Sequence, residues 1–319
     1  MYYSKIASTG SYLPPNIVTN RDLEKLVDTT DEWIISRTGI RERRFALDNQ
    51  VTSDLAVEAA LDAFQKGGID PSSIDLIIVA TSTPDMPFPN VGCIIQEKLG
   101  IPACPAMSIE TACSGFVYAI NIADNFIRLG QAKRALVVGA ELMGKYLDWN
   151  DRSTCVLFGD GAGAVILERS TEPGVIYSHI NADGRHRKLL EAKSRDESGD
   201  FFLNPTIAMN GNEVFKVAVK TLEDLVDKVI EDNNLEKGSI DWLIPHQANH
   251  RIIALTAKRL KIPMDRVVMT VEKTGNTSAA SVPIALDIAI TDGRVKRGQL
   301  ILLEAFGAGF TWGANLIKY

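Results

Sequence analysis

The sequence lacks the features that mark several large classes of protein. Its 34 Lys and Arg are outnumbered by 40 Asp and Glu, which gives a formal net charge of −6. This charge disfavours a nucleic-acid-binding protein, because such proteins usually carry a basic surface. No apolar run reaches the roughly 18 residues of a membrane-spanning helix, and residues 1–6 lack the charged start and apolar core of a signal peptide. We therefore expect a cytoplasmic protein with neither a membrane nor a nucleic acid as its partner.

Cysteine is scarce, with only Cys93, Cys104, Cys113 and Cys155 in the chain. Their spacing contains no Cys-x-x-Cys pair, which disfavours a structural zinc site. A reducing cytoplasm also disfavours a disulfide framework. We therefore predict no metal site, and each cysteine is either a small buried hydrophobe or a reactive thiol.

The composition is otherwise that of a globular protein, with 45% hydrophobic and 23% charged residues among 319. The short apolar runs 76–80 and 135–139 are typical of strands buried on both faces. Helical periodicity covers residues 212–233 and several segments between the strands. Residues 171–210 are polar and show no period, and we expect an exposed loop at 193–200. The alternation of strands and helices predicts an α/β protein.

Cys113 stands where an irregular segment gives way to a helix. Downstream of it, one apolar helical face is formed by Phe116, Ile120, Ala123 and Ile127. The free N–H groups and the macrodipole of a helix N-terminus favour a thiolate, which is the nucleophilic form of cysteine. A small buried hydrophobe is the alternative interpretation of the same residue.

The glycine-rich segment 158–163 resembles a dinucleotide-binding loop only superficially. It precedes a strand at 164–167, whereas a dinucleotide-binding loop follows a strand and opens a helix. We therefore expect no dinucleotide cofactor.

The second half of the chain repeats the plan of the first. Residues 74–78 match 240–244, 99–102 match 260–263, and 130–134 match 293–297. We therefore divide the chain into an N-terminal half, 1–170, and a C-terminal half, 171–319. Cys113 lies 17 residues before one matched glycine, and Asn276 lies 17 residues before the other. This register predicts that the two residues open equivalent helices, which meet at the centre of the fold.

Three functional groups are thereby expected to converge. Cys113 is the candidate nucleophile, His246 follows a buried strand where α/β proteins place their sites, and Asn276 lies beside a glycine. Alone, His246 has the alternative of a buried core histidine, and Asn276 that of a helix cap. Together with the cysteine and the duplication, the three favour a catalytic site.

Five motifs across the whole chain resemble the thiolase superfamily, and most closely the β-ketoacyl-acyl-carrier-protein synthase III family. They are Thr111–Phe116, Phe158–Ala162, Pro245–Asn249, Gly275–Ala279 and Glu304–Gly313. The resemblance implies a duplicated, five-layered αβαβα fold and a homodimer. It also implies an acyltransferase that carries out the first condensation of type II fatty-acid synthesis.

In the reaction that the resemblance implies, Cys113 takes an acyl group, typically acetyl, from coenzyme A. Malonyl on acyl carrier protein then loses carbon dioxide, and its carbanion attacks the acyl-cysteine. His246 and Asn276 would donate hydrogen bonds to the malonyl thioester oxygen. The backbone N–H groups of Cys113 and Ala308 would form a second oxyanion hole. No cofactor is needed, because the coenzyme A thioester is a substrate. The alternative is a related enzyme of a specialised pathway with another acyl primer.

The resemblance also implies binding residues. The coenzyme A contacts are Thr29, Trp33, Arg37 and Arg152 at the adenine end, and Phe215, Ala248 and Asn249 along the pantetheine tunnel. The acyl-pocket walls are Phe88, contributed by the neighbouring subunit, Met143 and Phe158. The carrier-protein contacts are Gln247, Ala248, Asn249, His250 and Arg251. A solvated loop is the alternative for the basic run that begins at Arg37, and a solvated helix face for the lysines beyond Arg251.

Overall fold

Two β-sheets organise the protein, which is known from a computed structural model that describes residues 2–194, 198 and 205–319. In that part of the chain the strands are β1 (Tyr3–Tyr12), β2 (Asn16–Thr19), β3 (Glu42–Phe45), β4 (Leu76–Ala80), β5 (Ala106–Ile109), β6 (Arg134–Glu141), β7 (Gly161–Ser170), β8 (Val175–Ala182), β9 (Leu190–Ala192), β10 (Ile207–Met209), β11 (Trp242–Pro245), β12 (Leu300–Gly307) and β13 (Thr311–Lys318). The helices are α1 (Asn20–Leu23), α2 (Asp31–Thr38), α3 (Thr52–Gly67), α4 (Val91–Lys98), α5 (Gly115–Arg128), α6 (Gly211–Asp232), α7 (His250–Leu260), α8 (Val271–Thr274) and α9 (Ser281–Thr291).

The two large sheets repeat one strand order. The first runs β1-β7-β6-β4-β5 and the second runs β8-β13-β12-β11. Each sheet has a central strand with one parallel neighbour: β6 runs parallel to β4 in the first sheet, and β12 runs parallel to β11 in the second. The β6–β7 and β12–β13 pairs are both antiparallel. The sheets therefore confirm the duplication predicted from the sequence.

Alternation along the central strands sorts the side chains into separate cores. In β4, Ile78 joins the core shared with α5 and α9, whereas Ile77 joins the core under α3 and α4. In β12, Leu303 faces α5 and α9, whereas Leu302 faces α6 and α7. The layers are thus α3/α4, the first sheet, α5/α9, the second sheet and α6/α7, which confirms the predicted five-layered αβαβα fold. The predicted apolar face of α5 is fully buried in the central layer.

The register inferred for the central helices is wrong by three residues. A left-handed residue opens the turn before each helix: Ala112, with φ 46°, precedes α5, and Ser278, with φ 48°, precedes α9. The structural counterpart of Cys113 is therefore Ala279, and Asn276 lies in the loop before the turn. The matched glycines misled the comparison because α9 has 11 residues and α5 has 14.

The described residues between 171 and 210 are more regular than their sequence suggests. They contain β8, which forms the edge of the second sheet, and the short antiparallel pair β9–β10. An edge strand pairs on one side only, and most of β8 is half-buried or exposed. It therefore needs no apolar alternation, and this explains why the pattern gave no signal. The loop predicted at 193–200 falls mostly outside the described residues.

A glycine in β7 sets the distance between the first sheet and the central helices. A Cβ at Gly163 would lie 2.7 Å from the amide nitrogen of Ile284 in α9. We expect Gly163→Ala to lower the free energy of unfolding by about 2 kcal/mol or more, because backbone must move to admit the methyl group. Urea unfolding measures this. Gly184→Ala is the control, since no atom lies within 4 Å of its Cβ position. Equal stabilities of the two variants would contradict the prediction.

Candidate active site

Cys113 lies in the turn Ala112–Ser114, and the C-terminal strands hold that turn in place. Cys113 is 6% exposed. A Cβ at Gly307 would lie only 2.6 Å from the Cys113 amide nitrogen, so glycine is required there. The Thr311 hydroxyl lies 3.0 Å from the Thr111 carbonyl oxygen and 3.1 Å from that of Ala308. The Thr311 side chain therefore fixes the cysteine turn beside Ala308. Cys113 and Ala308 line a common cavity.

Alanine is compatible with the turn that contains Ala308. Its φ is not positive, whereas the next residue, Gly309, has a φ of 134°. Ala308 therefore carries no left-handed strain.

Cys113 rests as a thiol, which corrects the expectation of a thiolate. Burial raises its pKa to about 12, with a smaller contribution in the same direction from the nearby Glu141 carboxylate. The Ser278 side chain acts in the opposite direction and lowers the pKa. Desolvation outweighs the favourable end of the helix, so a nucleophilic reaction must remove the thiol proton.

His246 follows β11 and is held as a neutral hydrogen-bond donor. Burial lowers its pKa to about 3. Its Nδ1 lies 2.7 Å from the Ser281 hydroxyl oxygen, which accepts a hydrogen bond from the Gln247 N–H at 3.3 Å. A Ser281 hydroxyl that donates to Nδ1 would place the remaining proton of the neutral ring on Nε2, which is the tautomer that a donor role requires.

Asn276 is oriented by the turn that follows it. Its Oδ1 accepts the Ser278 N–H at 2.8 Å, which leaves the amide NH₂ free to donate. Its backbone pairs with that of Phe158 in an isolated β-bridge. Asn276 therefore lies in a loop that lines the cavity, and it caps no helix. Cys113, His246 and Asn276 line one cavity. The structure thus brings together the three residues that the sequence singled out.

The same cavity extends outward between α6 and the start of α7. Phe215, Ala248 and Asn249 line it, together with Phe158. The Asn249 side-chain amide donates to the Arg37 carbonyl oxygen at 3.0 Å, which ties the cavity mouth to the end of α2. The predicted pantetheine residues therefore lie between the buried groups and the surface.

The predicted adenine-binding residues form a cluster at the surface. The Arg37 and Arg152 guanidinium carbons lie 5.8 and 5.4 Å from the centre of the Trp33 ring. The Thr29 hydroxyl has no hydrogen-bond partner among the residues that the structure describes. A flat aromatic face beside two cations suits a heteroaromatic ring that carries phosphates.

A second cavity reaches Cys113 from the other side. Met143 and Phe158 line it, as predicted for the acyl pocket. Phe88 does not: it is 84% exposed and lies outside this cavity in the single chain. Its predicted role depends on a neighbouring subunit and stays a prediction.

Gln247 does not fit its predicted role in docking a carrier protein. Its side chain is completely buried, where it donates to the Pro245 and Val268 carbonyl oxygens and accepts from the Thr270 and Val271 N–H groups. It therefore joins β11 to α8 and presents nothing to a partner. By contrast, His250 and Arg251 are exposed.

Two buried carboxylates at the site escaped the sequence analysis. Glu141 ends an apolar run in β6, and Glu304 interrupts one in β12. Glu304 lines the cavity of Cys113 and His246, and within the described part of the chain its Oε2 has no hydrogen-bond partner. A carboxylate inside an otherwise apolar central strand is the signal that would have found both. Ser278 and Ser281 gave no comparable signal.

Neither a membrane-spanning helix nor a metal-binding cluster occurs in the described residues. No helix there combines the length and apolar character needed to cross a membrane. No group of three or more His, Cys, Asp or Glu side chains there is arranged to hold a metal ion.

Comparison with known proteins gives full-length matches. Family models described as "3-Oxoacyl-[acyl-carrier-protein (ACP)] synthase III" and as its C-terminal part match residues 107–184 and 230–319. The β-ketoacyl-[acyl-carrier-protein] synthase III of Alkalilimnicola ehrlichii is 56% identical over 328 residues, covering 100% of both chains.

Solved structures match as closely. The 3-oxoacyl-[acyl-carrier-protein] synthase III of Aquifex aeolicus VF5 has a TM-score of 0.93 and 48% identity, covering 99% of this chain and 100% of the other. A priming β-ketosynthase from the R1128 polyketide biosynthetic pathway has a TM-score of 0.94 and 35% identity, covering 99% and 96%.

Glu304 should make stability depend on pH. Burial raises its pKa from 4.5 to about 8, so the unfolded chain releases the proton at lower pH than the folded protein does. Through Glu304, the wild type should therefore lose stability as the pH rises from about 4.5 to about 8, at no more than roughly 1.4 kcal/mol per pH unit.

Thermal unfolding of Glu304→Gln between about pH 5 and pH 8 tests this. The variant should lose less stability than the wild type over that range, because it has no proton to release. Glu236→Gln, a change at an exposed position, is the control and should follow the wild type. A wild-type curve parallel to that of Glu304→Gln would contradict the prediction.

Proposed function

The chain belongs to the 3-oxoacyl-[acyl-carrier-protein] synthase III family of condensing acyltransferases, and we infer from its site how it performs the reaction that initiates fatty-acid synthesis. The substrates are an acyl-CoA, typically acetyl-CoA, and malonyl-acyl-carrier protein. The product is β-ketoacyl-acyl-carrier protein. In this proposal the N-terminal half, 1–170, supplies the nucleophile and the C-terminal half, 171–319, supplies the hydrogen-bond donors.

Acyl transfer comes first in the proposed sequence. The Cys113 sulfur attacks the thioester carbonyl of acyl-CoA, the bond to the coenzyme A sulfur breaks, and an acyl-cysteine forms. The backbone N–H groups of Cys113 and Ala308 stabilise the oxyanion of the tetrahedral intermediate. This step is supported by the close packing of the Cys113 turn against the turn that contains Ala308, through Gly307 and Thr311.

Decarboxylation and condensation follow. The malonyl thioester loses carbon dioxide, and negative charge develops on its carbonyl oxygen. His246 Nε2–H and the Asn276 NH₂ donate to that oxygen. The carbanion then attacks the acyl-cysteine carbonyl and expels the Cys113 sulfur. The neutral state of His246 supports this role, because its low pKa makes it a poor base while its Nε2–H remains a donor.

Substrate binding is proposed along the cavity. Thr29, Trp33, Arg37 and Arg152 bind the adenine end of coenzyme A. Phe215, Ala248 and Asn249 contact the pantetheine arm. The reaction needs no further cofactor, and we propose that it takes place in the cytoplasm.

The acyl pocket is proposed to be completed in a homodimer. Met143 and Phe158 contribute from one chain and Phe88 from the other. The exposed apolar side chains of Met86 and Phe88, at 45% and 84%, support a partner that covers this segment.

Carrier-protein docking is proposed at the start of α7. His250 and Arg251 are exposed beside the cavity mouth, and Arg251 lies over the Phe215 ring at 5.0 Å. Lys258 extends the basic surface along the helix. A local positive patch suits an acidic carrier protein despite the net negative charge of the chain.

The single observation that carries the proposal is the convergence of Cys113, His246 and Asn276 on one cavity. Intact-protein mass after exposure to a panel of acyl-CoAs, with a chase of malonyl-acyl-carrier protein, tests it. We expect an acetyl adduct that the chase discharges as acetoacetyl-carrier protein. An adduct from longer or unusual acyl-CoAs only would support a specialised primer, the role to which the polyketide priming enzyme points. Absence of any adduct would contradict the proposal.

Variants should separate the two half-reactions. Cys113→Ser should abolish acyl transfer and retain decarboxylation of malonyl-carrier protein. His246→Ala and Asn276→Ala should each slow decarboxylation about 100-fold or more, since each removes one oxyanion donor, while they still take up acetyl. The measurements are adduct mass and release of ¹⁴C-labelled carbon dioxide. Failure of a folded His246→Ala or Asn276→Ala variant to be acetylated would show that its role is misassigned.

Trp33→Ala should weaken coenzyme A binding alone. Loss of one stacking contact, about 1–3 kcal/mol, should raise KM for acetyl-CoA about tenfold or more with little change in kcat. The KM for malonyl-carrier protein is the internal control, because that substrate has no adenine. Steady-state kinetics with each substrate varied measures both constants. An equal rise in both KM values would contradict the assignment of Trp33 to the adenine.

A further inference from the structure

Glu141 is a buried carboxylate that is held by uncharged donors. It is 0% exposed, and it forms no ion pair with any cation among the described residues. Its Oε2 accepts the Thr83 hydroxyl at 2.8 Å and the Ser82 N–H at 3.1 Å. Its Oε1 accepts the Ser278 hydroxyl at 3.0 Å. A carboxylate kept in the interior at such cost calls for a reason beyond stability.

Ser278 stands between this carboxylate and the nucleophile. Its N–H is fixed by Asn276 Oδ1, and its φ of 48° turns the side chain inward. Its hydroxyl donates to Glu141, and the same side chain lies close enough to the Cys113 sulfur to lower the pKa of that thiol. Ser278 and Cys113 line the same cavity, and their two turns pack against each other. Sulfur, hydroxyl and carboxylate therefore follow one another from the cavity into the interior.

We propose that Ser278 and Glu141 form a proton relay that activates Cys113 for acyl transfer. The Cys113 thiol proton passes to the Ser278 oxygen as the Ser278 hydroxyl proton passes to Glu141. The sulfur forms a bond to the acyl carbon, and the bond from that carbon to the coenzyme A sulfur breaks. The coenzyme A thiolate then takes the proton back from Glu141 through Ser278. This relay rests on the proposed function and adds to it the base for its first step.

The other groups around Cys113 are less suited to this task. The Nδ1 of His246 faces the Ser281 hydroxyl, and burial keeps its pKa near 3. Burial raises the pKa of Glu141 to about 7, against the hydrogen bonds that lower it, so this group exchanges a proton near neutral pH.

Few ionisable groups lie close to Glu141. Among the described groups, its charge raises the pKa of Cys113 and that of Tyr146, in the turn after β6. Thr81, Thr83 and Ser278 and the N–H groups of Ser82 and Ala279 complete its surroundings, and none of them is charged. The wild-type rate of acyl transfer should therefore rise with pH through about 7, as Glu141 becomes the base.

Glu141→Gln tests the relay. Single-turnover acetylation of the full chain by acetyl-CoA, followed by quenched mass spectrometry between about pH 6 and pH 9, is the measurement. We expect acylation to slow about 100-fold at neutral pH, the usual contribution of a general base, and the rise near pH 7 to disappear. Decarboxylation of malonyl-carrier protein should stay within about threefold of wild type, since it needs no thiolate. Glu141→Asp, which keeps the charge, should recover part of the rate.

Ser278→Gly provides a second test that also suits the left-handed backbone. It should slow acylation as much as Glu141→Gln, and the double variant should be no slower than either single one. Asp124→Asn is the matched control: it neutralises a buried carboxylate in α5, the helix that follows Cys113, and should leave acylation unchanged.

The outcomes distinguish failure of the relay from failure of the proposed function. Glu141→Gln acylated at the wild-type rate with an unchanged pH profile would overturn the relay. An equal loss of acylation and decarboxylation would also overturn it, because that pattern signals a structural role. If Glu141→Gln does not fold, a Ser278→Gly variant that acylates at the wild-type rate would overturn it. Failure of the proposed function would appear in the wild type itself, as the absence of any acyl adduct.

Discussion

The contact between the turns Ala112–Ser114 and Ser278–Ala280 is the constraint on which the site depends. The two turns pack against each other at the centre of the fold, and each contains a left-handed residue other than glycine. Such a conformation costs about 1–2 kcal/mol per residue and persists only where the surroundings enforce it. Here the sheets press backbone against both turns: a Cβ at Gly139 in β6 would lie 2.3 Å from the Ala279 carbonyl oxygen, and one at Gly307 in β12 would lie 2.6 Å from the Cys113 amide nitrogen.

Exclusion of water governs the chemistry of this centre. Burial raises the pKa of Cys113, Glu141 and Glu304 and lowers that of His246. Each group is pushed toward its neutral form, as expected where charge is poorly solvated. A site of this kind favours hydrogen-bond donors that carry no net charge, and it makes every proton movement dependent on a defined neighbour. The hydroxyls of Ser278 and Ser281 provide such neighbours for the cysteine and the histidine.

The sequence predicted a duplicated α/β architecture and the convergence of three functional side chains because both rest on strong signals, whereas the five-layered arrangement was implied by the family resemblance. Buried strands such as 76–80 are continuous apolar runs, and the motifs around Cys113 and His246 are distinctive. The edge strand β8 was missed because a half-exposed strand carries no strong pattern. The state of Cys113 was predicted wrongly, since the helix N-terminus can be read from sequence whereas the depth of burial cannot. Gln247 was misassigned for the same reason: only the structure shows its four buried hydrogen bonds.

The unequal lengths of α5 and α9 have a consequence for symmetry. The three residues missing from α9 correspond to about 4.5 Å of helix, nearly one turn. Asn276 is thereby offset from the position that mirrors Cys113, which Ala279 occupies. A perfectly symmetric protein built from two copies of either half would keep the layers, yet its centre would hold two cysteines or two alanines and no mixed set of groups. The chemistry of this site therefore resides in the departure from the duplication, and the duplication itself supplies only the scaffold.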